Sequence, residues 1–425
     1  MQIRKKASIF TNFGGINFIH DYLSSKDFEG AVFQHLGARS VRAVYSYGEI
    51  LSQMAYTKFI GGQVLDDHNE LRSQMENHPD LEIASPDTIE YCFQELRQQT
   101  LQQGAKNGST HYVNTHDGFN KMLPYLCSHL GLLCGSKGHM MDYDGHIVEN
   151  TKKDNAFTYK NTEGYYPVIC SIDKLPVYMQ NRKGNTPESY GQLSIIQTAV
   201  QTCRENNIPI TAFRADACCY ERETIEYLEQ QDITYYIRAE KSMRLMDALA
   251  DERDWEPATI GNRRVEVCSI EEPLFTENKR YRIVAYRERK KGQQTIEDRG
   301  GYSFHTVVTS DINSTPLECI LTYNQRGCMG EHHFKELDND FDLNKLPFDS
   351  FEMNTIYIYA MIVSYLLFNA CKKYYSRKLT FVSIEMRLKR FILHFVSLPA
   401  KWISTARSKV LNIYTTKKYE PIFQT

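Results

Sequence analysis

The stretch Tyr323-Asn-Gln-Arg326-Gly-Cys-Met-Gly-Glu331-His-His-Phe-Lys335 gathers a ring, a guanidinium, a carboxylate and an ammonium within thirteen residues. In a helix running from about Met329, Glu331 and Lys335 stand four residues apart on one face. Such a set suits a phosphodiester site, with a carboxylate for a metal ion, cations for phosphates and a ring for a base or sugar. The same spacing also describes a plain surface salt bridge worth about a few tenths of a kcal/mol.

Two upstream segments supply further acids. His139-Met-Met-Asp142-Tyr-Asp144-Gly-His-Ile-Val148 alternates apolar and polar residues, which predicts a strand carrying acids near its end. Ile208-Pro-Ile-Thr-Ala-Phe-Arg214-Ala-Asp216 predicts a second strand ending at an acid, and Glu221 to Glu229 a helix after it. The C-terminal end of a strand, just before a helix, is the edge where α/β sheets place ligands. Asp216 is equally suited to capping that helix, and Asp142 and Asp144 to a turn or a charged sheet edge. Two acids on strand ends and one on a later helix make a more specific set than any one alone.

The chain resembles the DDE transposases of bacterial insertion sequences, in the subgroup with a Tyr-x2-Arg-x3-Glu-x6-Lys signature. The resemblance spans nearly the whole sequence, through FTNFGGINFIHDYL, YSYGEILSQMAY, PDTIEYCFQEL, MDYDGHIVENTKKDNAFTYKNTEGYYPV, RKGNTPESY, FRADACCYERETIEYL, YIRAE and YNQRGCMGEHHFKEL in that order. It implies an α/β fold: a ribonuclease H-like catalytic core with a β-rich insertion, a helical N-terminal domain and a helical C-terminal region. It implies Asp144, Asp216 and Glu331 as catalytic and metal-binding residues, and Tyr323, Arg326 and Lys335 as DNA-binding ones. Asp144 is preferred to Asp142 because the family pattern is Asp-x-Asp followed by a small residue. Three departures stand out. His146 replaces a hydroxyl residue. Four residues, not three, separate Arg326 from Glu331. Lys335 comes early, and Asp338 occupies the place the signature gives to lysine. Gly330 offers a point at which the backbone can bend.

Three carboxylates in one pocket repel each other unless a cation intervenes, and oxygen-only ligands favour Mg²⁺ or Mn²⁺ over zinc. Two such ions serve an in-line phosphoryl displacement. The implied function is cleavage at the terminal inverted repeats of an insertion sequence and joining of the ends to target DNA. The alternatives are a repurposed DNA-binding protein without chemistry, and a metal-dependent nuclease without strand transfer. Double-stranded DNA is the expected partner, and synapsis of two ends implies a dimer in the DNA complex.

Composition is that of an ordinary globular protein: 425 residues, 42% hydrophobic, 24% charged, formal net charge −2. This excludes a uniformly basic DNA-coating protein. From Lys372 onward, twelve basic residues face only Glu385 and Glu420, with aromatics between them, which fits a nucleic-acid face or a solvated helix pair. Eleven cysteines show no metal-ligand spacing, and their odd number points to reduced thiols in a cytoplasm, here a bacterial one, near the nucleoid. His332 and His333 point in different directions on a helix, which disfavours a shared metal. The apolar run Thr355–Asn369 is short for a membrane span and reads as a buried core helix, so no membrane partner is expected.

These features divide the chain into a helical DNA-binding region (1–105), a first part of the core (106–240), a β-rich insertion (241–322), the last part of the core (323–372) and a basic helical C-terminal region (373–425). Residues 101–110 read as a polar linker, and Leu317 to Thr322 as a strand of the insertion. The interval of 115 residues between Asp216 and Glu331 is what makes room for that insertion. Arg287, Arg289, Lys290 and Lys291 fall at a hairpin tip that could touch DNA or simply be solvated.

Overall fold

The computed structural model describes residues 10–104, 108–290, 299–404 and 408–423, and for residues 327–333 the helical backbone alone. Its centre is an 11-stranded sheet. Three neighbouring strands, His139–Gly145, Ile210–Ala215 and Thr234–Arg238, are parallel. The helices Gln192–Glu205 and Arg222–Gln230 are placed as parallel strands require, each within a crossover leading to the next. On one side the sheet continues antiparallel through Val168–Ile172, Leu175–Arg182, Thr110–Asn114 and Leu101–Gly104. On the other it continues antiparallel through Tyr302–Thr309, Arg280–Arg289, Arg263–Pro273 and Glu256–Ile260. The strands placed in the insertion thus extend the same sheet rather than forming a separate body.

Every residue of Val168–Ile172 is buried, as are nearly all of Leu175–Arg182. Successive strand residues point to opposite faces, so this part of the sheet is covered on both. Asp117–His129, Gln192–Glu205 and Phe351–Ser376 all pack on Leu175–Arg182. Phe351–Ser376 is long and apolar enough to cross a membrane by length and composition. It is instead enclosed by protein, with Ile356, Tyr359, Ile362 and Leu366 fully buried. It packs along the N-terminal helix Tyr47–Phe59, and one hydrophobic core runs from Ile16 to Tyr419. The buried pair Lys58–Asp342, at 2.9 Å, ties that helix to the segment after Asp340.

Local signals account for the helix starts. Ser85 caps Pro86–Leu96 through Thr88 N–H, with Pro86 in the first turn. Thr315 and Glu318 form a reciprocal capping box at the start of Pro316–Asp340. That box corrects the strand expected at Leu317–Thr322: the β-branched residues there lie in the first turns of a helix that begins well before Met329. Of the linker expected at residues 101–110, Leu101–Gly104 is instead a strand paired with Thr110–Asn114, and residues 105–107 lie outside the described residues. The four residues of the first strand are all exposed, so it carries no apolar alternation to recognise. The C-terminal region is not all helical either. After Leu388–Phe391 and one wider helical turn to Val396, Ala400–Ser404 and Lys409–Ile413 form an antiparallel pair. Lys401-Trp-Ile and Lys409-Val-Leu fit a two-residue period as well as a helical one, and Pro399 lies between the helical turn and the first strand. At the expected hairpin tip Arg287 is sandwiched between Trp255 and Tyr302, at 4.2 and 4.4 Å, and Lys291 lies outside the described residues.

His68 is fully buried, sharing a 2.6 Å hydrogen bond with the Thr57 hydroxyl. Burial, reinforced by Arg72, pushes its pKa down to about 4. The unfolded chain takes up that proton near 6.5. The folded state therefore gains from this residue above about 6.5 and loses the gain, at most about 3 kcal/mol, as pH falls towards the folded value. Urea midpoints measured across this window should fall with acid, and fall less steeply in His68→Gln; equal slopes would exclude this residue as the cause.

Candidate active site

Parallel pairing decides where the acids go. Asp144 lies next to the C-terminal end of His139–Gly145, and Asp216 directly follows the C-terminal end of Ile210–Ala215. The two strands run the same way, so both residues reach one edge of the sheet. Asp216 does cap the short turn Ala217–Cys219, but with one oxygen only: Oδ1 accepts from Cys218 N–H at 2.9 Å. Its other oxygen faces Arg326, 3.8 Å away.

Arg326 comes from the helix Pro316–Asp340, which crosses the same strands. Its Nη2 donates to Asp144 Oδ1 at 2.7 Å and to the Tyr143 carbonyl at 3.4 Å. Burial works against its charge, but Asp144 and Asp216 outweigh that and hold the guanidinium more firmly protonated than usual. Burial pushes the Asp144 carboxyl up to about 6, with Arg326 pulling it down and Asp216 pushing it further up.

Asp142 belongs to a different arrangement. It is the cross-strand neighbour of Arg214, which grips both its oxygens at 2.7 and 2.8 Å. Arg214 also donates to the Thr322 carbonyl at 2.7 Å, tying the strand pair to the Arg326 helix. Both side chains are buried. Asp142 is a structural anion with its bidentate partner in place, and Asp144 is the acid that faces outward.

The sequence reading overlooked Glu188, in the loop between Leu175–Arg182 and Gln192–Glu205. A signal was present in its block, Arg182 to Tyr190, but nothing there marks an acid as special. Glu188 Oε2 accepts from the Tyr166 hydroxyl at 2.8 Å, while Oε1 is buried without a hydrogen-bond partner among the described residues. Burial first, then Asp216 and Asp144, push this carboxyl up to about 7. Glu188, Asp216 and Cys218 each bring a ligand-type atom within 4.8 Å of the other two. Gly145 is required by the same packing, since a Cβ there would sit 2.6 Å from the Tyr166 ring.

Two sequence departures turn out to be partners. His146 Nε2 meets the Asp338 carboxylate at 3.0 Å, and its ring stacks on Phe334 with centroids 4.4 Å apart. The residue in place of the expected hydroxyl and the acid in place of the expected lysine thus join the Asp144 strand to the Arg326 helix.

Of the six residues expected at a site, the structure brings Asp144, Asp216 and Arg326 into contact. Tyr323, one turn before Arg326, is partly buried and close enough to feel the charges of Arg326, Arg238, Asp216 and Asp144. Lys335 is exposed further along the helix. Glu331 follows Arg326 by five residues, about 7.5 Å along the axis, and its side chain lies outside the described residues. His332, His333 and Gly330 lie outside them too.

A divalent cation suits this donor set. Asp144, Asp216 and Glu188 offer hard oxygens, Glu188 Oε1 has no hydrogen-bond partner among the described residues, and the Arg326 guanidinium already stands in as a cation between two of the acids. Cys218 is a poor ligand for a hard ion, because burial holds its thiol protonated well above the usual range.

The model of the family described as Transposase DDE domain group 1 matches residues 30–425. No curated protein matches the chain. Among solved structures, the chain is similar to a piggyBac transposase in a cryo-EM synaptic complex with hairpin DNA. The TM-score is 0.41 and the identity 10%, over 90% of this chain and 79% of that one.

The two neighbouring aspartates should separate cleanly in metal-free thermal melts. Asp142→Asn breaks a buried ion pair and should cost about 3–5 kcal/mol. Asp144→Asn removes one of several mutually repelling carboxyls and should leave the melting temperature unchanged or higher. The reverse order would exchange their roles.

Proposed function

This chain belongs to the transposase DDE domain family, and we propose that it cuts at the terminal inverted repeats of a bacterial insertion sequence and joins the ends to target DNA. The observation that carries this reading is the meeting of Asp144 and Asp216 at one sheet edge around Arg326.

In this reading Asp144, Asp216 and Glu331 are the catalytic and metal-binding residues. Bound there, a pair of Mg²⁺ ions, with Mn²⁺ as a substitute, would supply charge neutralisation at the attacking and leaving oxygens of an in-line phosphoryl displacement. The protein's own residues do the rest. Asp144 and Asp216 orient their oxygens from rigid strand ends. Arg326 leaves its place between the acids and turns to a DNA phosphate, where its planar fork can make paired hydrogen bonds. Tyr323, beside it, contributes a stacking surface or a hydroxyl contact. Lys335 contacts DNA further along the helix. No covalent bond to the protein is needed, because each step is attack by an oxygen nucleophile on a phosphodiester.

The architecture fits a ribonuclease H-like core in which residues 106–240 and 323–372 surround the site and residues 241–322 are the insertion. The support for it is the strand order Leu175–Arg182, Val168–Ile172, His139–Gly145, Ile210–Ala215, Thr234–Arg238, with helices in the crossovers. The N-terminal helices up to residue 105 bind the repeats, the basic region 373–425 supports DNA contact, and two copies assemble on paired ends in the bacterial cytoplasm, at the nucleoid.

A DNA fragment bearing the candidate element's end, incubated with Mg²⁺ or Mn²⁺, provides the test. Wild type should nick it, and Asp144→Asn, Asp216→Asn and Glu331→Ala should each lose about a hundredfold or more. Tight binding without cleavage under either ion would make this a DNA-binding protein derived from a transposase. Cleavage without joining would make it a nuclease.

A further inference from the structure

We propose that Glu188 is a fourth carboxylate of the metal site, holding a divalent cation together with Asp216. This inference rests on the metal-dependent reading above and adds a ligand from a loop outside the three-acid set.

The first observation is how firmly the loop is held. Tyr143, the residue between Asp142 and Asp144, donates its hydroxyl to the Glu188 carbonyl at 2.7 Å. Arg182, fully buried, donates to the carbonyls of Pro187 at 2.5 Å, Glu188 at 3.0 Å and Tyr190 at 2.7 Å. Its Nε is fixed in turn by Gln180 at 3.1 Å. A whole guanidinium is used to shape three residues of backbone, and the strand bearing Asp144 shapes the same loop. The position of Glu188 is therefore tied to the Asp144 strand by the hydrogen bond from Tyr143.

The second observation is the carboxyl itself. Tyr166 satisfies Oε2, and Tyr166 is packed against Gly145, immediately after Asp144. That leaves Oε1 buried and without a hydrogen-bond partner among the described residues, and the carboxylate has an oxygen within 4.8 Å of a ligand atom of Asp216. A carboxylate offers about four acceptor sites, so an orphaned, buried oxygen is costly unless something positive meets it. Arg326 bonds to Asp144 rather than to Glu188.

The third observation is charge. Asp144, Asp216 and Glu188 carry three negative charges when ionised, against the one positive charge of Arg326. That surplus of negative charge favours a bound cation. A purely structural Glu188 would have both oxygens bonded, as Asp142 has.

Titration of the full-length protein with Mn²⁺, followed by electron paramagnetic resonance of the free ion, tests this alongside thermal melts with and without Mn²⁺. Asp216→Asn should weaken binding sharply. Glu188→Gln keeps an acceptor for Tyr166 and should weaken Mn²⁺ binding about tenfold or more. Its metal-free melting temperature should equal or exceed that of wild type, and the rise caused by Mn²⁺ should shrink. Binding equal to wild type in Glu188→Gln, with Asp216→Asn impaired, would overturn the role of Glu188 alone. So would an equal drop in melting temperature with and without the ion, which marks a structural residue. If wild type fails to bind Mn²⁺, or Asp216→Asn binds as well as wild type, the metal-site reading falls and this inference with it.

Discussion

Mutual repulsion of carboxyl groups at one sheet edge is the constraint around which this molecule is arranged. The parallel pairing of His139–Gly145 with Ile210–Ala215 leaves no choice about bringing Asp144 and Asp216 to the same edge. Everything nearby manages the resulting charge. Arg326 bridges the two acids, Arg214 takes Asp142 out of the set, and burial raises the Asp144 and Glu188 carboxyls to about 6 and about 7. Such a site carries unfavourable electrostatics, a pattern expected where function sets the geometry rather than stability.

Much of this was legible in the residues. The strands bearing Asp144 and Asp216 follow from short alternating runs that end in acids, and the helix after Asp216 from its own periodicity. Asp144 was separable from Asp142 only by a family pattern; the physical reason, a cross-strand arginine that consumes both Asp142 oxygens, depends on a register between segments some seventy residues apart. Glu188 was hidden for a similar reason. Its importance comes from what Arg182, Tyr143 and Tyr166 do to its loop, and none of those contacts leaves a local trace. The misread segments fail differently. The Thr315–Glu318 capping box was present in the sequence and outweighs β propensity at Leu317–Thr322. At residues 101–104 and 400–413 the strands are short, and the first is wholly exposed, so tertiary pairing decides their state.

The pairing of His146 with Asp338 bears on the spacing of the last helix. One extra residue before Glu331 turns everything after it by about 100° around an ideal helix. The residues beyond that point nevertheless meet the Asp144 strand through a stacked ring and a hydrogen bond, with Phe334 and Asp338 both contributing. Two substitutions that each look like erosion of a signature are one contact between the elements that form the site.

The long helix Phe351–Ser376 has a consequence for how the chain comes to be folded. It fills the space beside Tyr47–Phe59, while Thr11 pairs with Ala400 across a β-bridge and Trp402 donates to Asn17. These N-terminal helices therefore wait for partners made some three hundred residues later. At about 5–20 residues per second, that is a delay of roughly fifteen seconds to a minute in which the face of Tyr47–Phe59 turned to Phe351–Ser376 stays open. Sequence separation of this kind slows the search for the native contacts. The N-terminal helices thus complete their packing only once the far end of the chain has joined them.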